Sequence, residues 1–145
     1  ELPGPAEQQA ERDAMFDATA PTASIQPAHY SALKAAKTKL LHDEDFDVFG
    51  DGTVVVKSTP GHTPGHQSVF VRLAKTGPVL LAGDLYHYPE ERTTGNIPTF
   101  EFNAGQSRAS RMKMEAFLKQ TGASLWIAHD IATHKDLPNP PQFIE

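Results

Sequence analysis

The sequence contains no cysteine, which excludes disulfide bonds, a thiolate metal site and a cysteine nucleophile. Any metal ligands must therefore come from histidine and carboxylate side chains. The 13 lysines and arginines are outnumbered by 18 acidic residues, a balance unlike the basic surface that nucleic-acid binding requires. No apolar run approaches the roughly 20 residues of a membrane helix, and no signal peptide is visible. We therefore expect a cytoplasmic protein that contacts neither nucleic acid nor membrane.

The length and the order of patterned segments predict one α/β domain over residues 1–145, with layered helices and strands. Residues 1–45 are expected to form a helical lead-in, with helices over 6–16 and about 27–37 joined by a Thr/Ala/Pro/Ser connector. Residues 46–145 contain the strands and the proposed metal ligands. Apolar alternation, Asp-Gly turns and capping residues predict strands at 46–49, 53–57, 67–73, 78–82 and 124–128, with a helix at 104–120.

Three of the predicted strands are followed by a histidine or an aspartate. The segment Thr-Pro-Gly-His-Thr-Pro-Gly-His places His62 and His66 in consecutive tight turns after one strand. Asp84 follows a second strand, and His129 follows a third. Imidazole and carboxylate suit zinc and neighbouring divalent ions, so His62, Asp84 and His129 are the predicted ligands. Pro64-Gly65 excludes a helical histidine pair, so we expect only one of the two loop histidines to bind metal and the other to brace the loop by hydrogen bonds.

Each of these residues also has an ordinary structural interpretation. The two loop histidines can bond to loop carbonyls, an aspartate after a strand can cap a turn, and a strand-end histidine needs no special role. Several other residues are expected to have no role in a site. These are a solvated helix face (Arg108, Arg111, Lys119), core methionines (Met112, Met114) and surface histidines (His29, His42, His134).

The strings Thr-Pro-Gly-His-Thr-Pro-Gly-His-Gln-Ser-Val-Phe, Leu-Leu-Ala-Gly-Asp and Ile-Ala-His-Asp resemble the second half of the metallo-β-lactamase superfamily. Within it, the chain is most similar to the N-acyl-homoserine lactonases, over about residues 46–134. The resemblance implies the C-terminal half of an αβ/βα sandwich and a site with two zinc ions or other divalent metals. It makes His62 a ligand of the first metal, Asp84 the bridge and His129 a ligand of the second, with His66 and Asp130 as supporting residues.

The resemblance also implies hydrolysis of a small ester or lactone by a metal-bound hydroxide. In known lactonases a tyrosine three positions after the bridging aspartate contacts the lactone, and here that position is His87. We therefore expect Asp84 and His87 to take part in catalysis. The expected substrate contacts are His87, Tyr86, Phe100 and Phe102.

The superfamily's His-x-His-x-Asp-His motif does not occur in this sequence. The resemblance then implies that the chain is a C-terminal half. On its own this half would bind one metal ion or none, and it would be inactive without the missing half or a second copy of the chain. The alternative is a non-catalytic remnant that acts as an assembly or dimerisation module, because half of a sandwich exposes an apolar sheet face. Either alternative favours a homo-oligomer.

Overall fold

The computed structural model describes residues 6–17, 27–135, 137–138 and 141–145. Its N-terminal region contains β1 (Ala6–Gln8), α1 (Gln9–Phe16), a 3₁₀ helix (Pro27–Ala35) and β2 (Lys39–Leu41). The helix expected from residue 6 begins three residues later because residues 6–8 pair in parallel with β2. The second expected helix takes the tighter 3₁₀ form. The predicted connector at 18–26 lies outside the described residues.

The main sheet has five strands in the order β3-β4-β5-β6-β7. Neighbouring strands from β3 to β6 are antiparallel, whereas β7 is parallel to β6. The parallel pair places the C-terminal ends of β6 and β7 at the same edge of the sheet. The strands are β3 (Phe46–Asp47), β4 (Val54–Ser58), β5 (Gln67–Leu73), β6 (Gly77–Leu81) and β7 (Ser124–Trp126).

One face of this sheet packs on the long helix that connects β6 to β7. A short helix α2 (Glu90–Thr94) comes first, and α3 (Ala104–Thr121) then crosses the sheet. The Asn103 side chain accepts hydrogen bonds from two amides of the first turn, and Gly122 ends α3 in the left-handed conformation. The core between sheet and helix contains Phe70, Leu80, Ala82, Leu85, Tyr86, Met114, Leu118 and Ile127.

The opposite face of the sheet is also apolar, but it is less covered. Strand register places the same-facing side chains in cross-strand pairs, such as Val56 with Val69 and Val69 with Leu81. Val79 is buried, whereas Leu81 is 39% exposed. This second apolar face consists of Phe46, Val54, Val56, Val69, Val71, Val79, Leu81 and Trp126.

Two expectations about the surface of α3 are wrong. Arg111 is buried rather than solvated, because its guanidinium bonds to Glu91 of α2 and to the carbonyls of Leu85 and Asn96. Met112 is 74% exposed, so only Met114 of the methionine pair belongs to the core. No helix among the described residues is long and apolar enough to span a membrane.

Candidate metal centre

The loop between β4 and β5 forms one wall of the candidate site. The amide of Thr59 donates to the carbonyl of His66 at 3.0 Å and closes the loop at its base. Gly61 has a φ of 143°, and a Cβ at this position would lie 2.3 Å from the Ser107 hydroxyl of α3. Gly65 lies equally close to α1, where its amide donates to Glu11. The loop is therefore held from both sides by helices.

The imidazole of His66 uses both of its nitrogens within the protein. Its Nδ1 lies 3.0 Å from the carbonyl of Thr59, and its Nε2 accepts the amide hydrogen of Asp84 at 2.9 Å. Burial is the main cause that lowers the pKa of His66, which keeps the ring neutral. The ring packs on Gly83, where an added Cβ would lie 2.8 Å from Nε2. His66 thus fixes the backbone of Asp84 and offers no free nitrogen to an ion.

The carboxylate of Asp84 lies between His62 and His129, so the structure brings the three predicted ligands together. One oxygen, Oδ1, is 2.8 Å from Nε2 of His129, and the other, Oδ2, is 3.6 Å from Nε2 of His62. Burial raises the pKa of Asp84, but the hydrogen bond from His129 and the charges of the nearby histidines outweigh it and lower the pKa overall. Asp84 is therefore an ionised carboxylate at neutral pH.

The distance between His62 and Asp84 fits two ligands of one ion. Two ligand atoms about 2.0–2.2 Å from a tetrahedral zinc ion stand roughly 3.4 Å apart, close to the observed 3.6 Å. The donor set of two imidazoles and one carboxylate suits zinc or another borderline divalent ion. Asp84 therefore stands at ligand distance from His62 through one oxygen and from His129 through the other, so these residues would hold divalent metal on both sides of the carboxylate. The group of described residues with one atom of each within 4.8 Å of the others is instead His62, His87 and Glu101.

Glu101 is a member of the site that the sequence did not indicate. Its side chain is only 2% exposed, and Oε1 lies 3.4 Å from Nδ1 of His62. His87 is also buried, and among the described residues its Nδ1 has no hydrogen-bond partner; this nitrogen lies 3.7 Å from Oε1 of Glu91 and 3.9 Å from Oε1 of Glu101. Burial is the largest cause that lowers the pKa of His87. The atoms of His62, His87 and Glu101 lie within 4.8 Å of one another.

The other predicted site residues are more scattered. The Phe100 ring packs edge-on against both His62 and His87, so it covers the centre. Phe102 instead lines a separate cleft of about 780 Å³ beside α1. Asp130 caps α4 (Ile131–His134) by accepting from Thr133, and within the described part of the chain its side chain bonds to none of the three predicted ligands.

Tyr86 points away from the site. It is 3% exposed within the core, and its hydroxyl donates to Glu115 of α3 at 3.0 Å. In this arrangement a substrate has no access to the Tyr86 side chain. Of the four expected substrate contacts, only His87 and Phe100 lie at the centre.

The chain has relatives among lactonases. It is 36% identical over 88 residues to an N-acyl homoserine lactonase AttM of Azorhizobium caulinodans, a match that covers 61% of this chain and 34% of the relative. It is 29% identical over 129 residues to an N-acyl homoserine lactonase of a Bacillus species, covering 83% of this chain and 51% of the relative. The chain thus spans a third to a half of the length of these relatives. No protein-family model matches it.

Solved structures show the same fold. An N-acyl homoserine lactone hydrolase with bound N-hexanoyl-L-homoserine superposes with a TM-score of 0.79 at 24% identity, over 96% of this chain and 52% of that one. The dizinc quorum-quenching lactonase AidC superposes with a TM-score of 0.61 at 20% identity, over 86% and 47%. The resemblance to the lactonases is therefore confirmed: the chain is homologous in sequence to N-acyl homoserine lactonases, and it has the fold of about half of such an enzyme.

Proposed function

We propose that this chain provides half of a metal-dependent hydrolase that opens a lactone of the N-acyl-homoserine type. The observation that supports this most is the position of Asp84, whose two oxygens face His62 and His129 separately. A carboxylate used through both oxygens is suited to a site shared by two ions. The lactonase relatives supply the substrate class for this proposal.

The site residues have distinct proposed roles. His62, Asp84 and His129 hold the metal, which when bound supplies a water that is acidic enough to act at neutral pH. His87 contacts the lactone, since its buried ring stands 5.2 Å from the ring of His62 and has an unpartnered nitrogen. Phe100 excludes water above these rings.

Phe102 and its cleft are the proposed site for the acyl chain. The cleft adjoins the centre because the amide of Phe102 donates to the carbonyl of His62 at 3.3 Å. Its walls include Ala10, Phe16 and Pro64, which offer apolar surface to an alkyl chain. The charged residues Arg12, Asp13 and Lys34 also line this cleft, and they suit a polar group carried by the bound ligand.

We further propose that the chain alone binds one zinc ion at most and does not turn over substrate. His62 and His129 face different oxygens of Asp84, and a complete two-ion site needs more ligands than these three residues. The additional ligands would come from a further segment or from a partner chain. Asp130 then supports His129 indirectly, by fixing the turn that follows it.

The test combines zinc content with hydrolysis of N-hexanoyl-homoserine lactone. The chain is assayed alone and after co-expression with the first half of the Azorhizobium caulinodans lactonase, alongside the variants Asp84→Ala and Glu90→Gln. Glu90 is an exposed carboxylate on α2 and serves as the matched control. We expect hydrolysis only in the co-expressed pair, its loss with chelator, its return with zinc, and its absence in Asp84→Ala. A co-purified pair with bound zinc and no hydrolysis contradicts the lactonase proposal.

The second apolar face favours one other function, an assembly module without catalysis. Eight same-facing apolar side chains with an exposed Leu81 form a surface suited to a second copy of the chain. A homodimer whose melting temperature does not respond to chelator or zinc would support this function over hydrolysis. Light scattering with size-exclusion chromatography, repeated on Leu81→Lys, measures it.

A further inference from the structure

Glu101 is a buried carboxylate for which the proposed hydrolysis has no direct use. Burying a carboxylate is costly unless hydrogen bonds compensate for the lost water. The structure supplies two such partners, one on each oxygen. Oε2 accepts the Ser107 hydroxyl at 2.6 Å, and Oε1 faces Nδ1 of His62 at 3.4 Å.

This contact determines which nitrogen of His62 carries the proton. A neutral imidazole has one N–H and one lone pair, and an ionised carboxylate can only accept a hydrogen bond. Glu101 therefore favours the form of His62 with the proton on Nδ1. The lone pair then lies on Nε2, the nitrogen that faces Asp84.

We propose that Glu101 is a positioning residue that holds His62 in the Nδ1–H tautomer and directs Nε2 towards the metal ion. This inference rests on the proposed function, because it takes His62 to be a metal ligand. Carboxylates that accept the second N–H of a metal-bound histidine orient the ring and raise its basicity. Glu101 acts through His62 and touches neither the ion nor the substrate.

The first turn of α3 also holds the Glu101 side chain in place. Ser107 donates to Glu101, and its backbone packs against Gly61 so closely that no side chain fits between them. The amides of Phe102 and Asn103 donate to the carbonyls of His62 and Gly61. The orientation of the His62 ring is therefore imposed by α3 and the residues before it as well as by its own loop.

A rival arrangement would place the ion among His62, His87 and Glu101 themselves. It would require Nδ1 of His62 to be unprotonated, which is the opposite tautomer. The 3.4 Å between Glu101 and His62 fits a hydrogen bond and two ligands of one ion alike, so the surroundings of the other nitrogen decide between the arrangements. Asp84 and His129 also meet on the Nε2 side of His62, where the rival arrangement has no ligand.

The test uses nitrogen-15 NMR of the histidine rings at pH 8 and zinc titration by calorimetry, on the same chain. The variants are Glu101→Gln, His87→Ala and Asp84→Ala, with Glu90→Gln as the exposed control. The glutamine amide can donate to Nδ1, so Glu101→Gln should move His62 towards the Nε2–H form and weaken zinc binding about 10- to 100-fold. The wild type and Glu90→Gln should show Nδ1–H on His62 and equal zinc affinity. Amide NMR spectra confirm that each variant is folded. If Glu101→Gln unfolds, Glu101→Asp takes its place, and this variant should keep part of the Nδ1–H form of His62.

Three results separate the possibilities. An Nε2–H form of His62 in the wild type, or an unchanged tautomer in Glu101→Gln, overturns the positioning role. Zinc binding that is lost in His87→Ala and kept in Asp84→Ala overturns it too, because the ion then sits in the rival arrangement. A wild type with the Nδ1–H tautomer that binds no zinc contradicts the proposed metal site, whereas the tautomer change in Glu101→Gln still supports the role of Glu101 in holding the ring.

Discussion

Replacing Gly61 with alanine should damage the site more than its small size suggests. The new methyl group would lie 2.3 Å from the Ser107 hydroxyl, 2.4 Å from its amide nitrogen and 2.6 Å from its Cα. Two of these three atoms belong to the backbone of α3, so a side-chain rotation cannot relieve the clash. The φ of 143° adds backbone strain, because residues with a side chain rarely adopt it.

The expected cost has two parts. Strain at such a backbone conformation costs about 1–3 kcal/mol, and forcing a methyl group into packed surroundings costs about 1–3 kcal/mol more. Gly50 offers a matched control, because its φ is 76° and no atom of the described residues lies within 4 Å of an added Cβ. Gly50→Ala should therefore lose only the strain part, about 1–2 kcal/mol.

Urea unfolding followed by circular dichroism measures both variants. We expect Gly61→Ala to lower the free energy of unfolding by about 2–6 kcal/mol, clearly more than Gly50→Ala. Zinc affinity should fall in Gly61→Ala alone, because displacement of the loop moves His62. Equal losses of stability in the two variants would show that the loop does not dock on α3 as the structure has it.

Three further predictions concern single side chains. Asp84→Ala should remove most zinc binding by calorimetry, whereas His66→Ala should chiefly loosen the loop in amide exchange; equal loss of zinc in both would contradict the ligand assignment. Arg111→Met should cost about 3–5 kcal/mol in urea unfolding because it strands the buried Glu91 carboxylate, and adding Glu91→Gln should recover part of that loss. Burial and a neighbouring carboxylate raise the pKa of Tyr86, so its contribution to stability is complete below its ordinary pKa near 10 and is lost as the pH rises above it. The melting temperature should therefore fall more between pH 8 and pH 11 in the wild type than in Tyr86→Phe, and parallel curves would refute this.

Elements with local signals could be predicted from the sequence. The β5 strand has the predicted bounds, and α3 begins after Asn103 and ends before Gly122, because caps and alternation act on neighbouring residues. The parallel pair β1–β2 could not be predicted, since its strands are separated by more than 30 residues and neither is strongly patterned. Short α2 and α4 were likewise not predicted.

The candidate site divides in the same way. His62, Asp84 and His129 each lie within four residues of a strand end, a local feature, and the structure places Asp84 beside both histidines. Glu101 has no such signal, because its burial depends on a loop 39 residues away. Helical spacing predicts a solvated position for Arg111, because spacing defines a face of the helix and does not show what packs on that face.

The two apolar faces of the sheet bear on how β5 finds its alignment. A slip of β5 by one residue would move every side chain of the strand to the opposite face of the sheet. Because Val69 and Val71 lie on one face and Phe70 on the other, apolar side chains alone distinguish the two faces weakly. The buried Ser68 hydroxyl distinguishes the observed register of β5 from a shifted one. It donates to the carbonyl of Ala82 at 2.8 Å and lies 3.1 Å from the Thr59 hydroxyl. A misaligned β5 would lose both hydrogen bonds and leave buried polar atoms without them, so we expect Ser68 to favour the observed register.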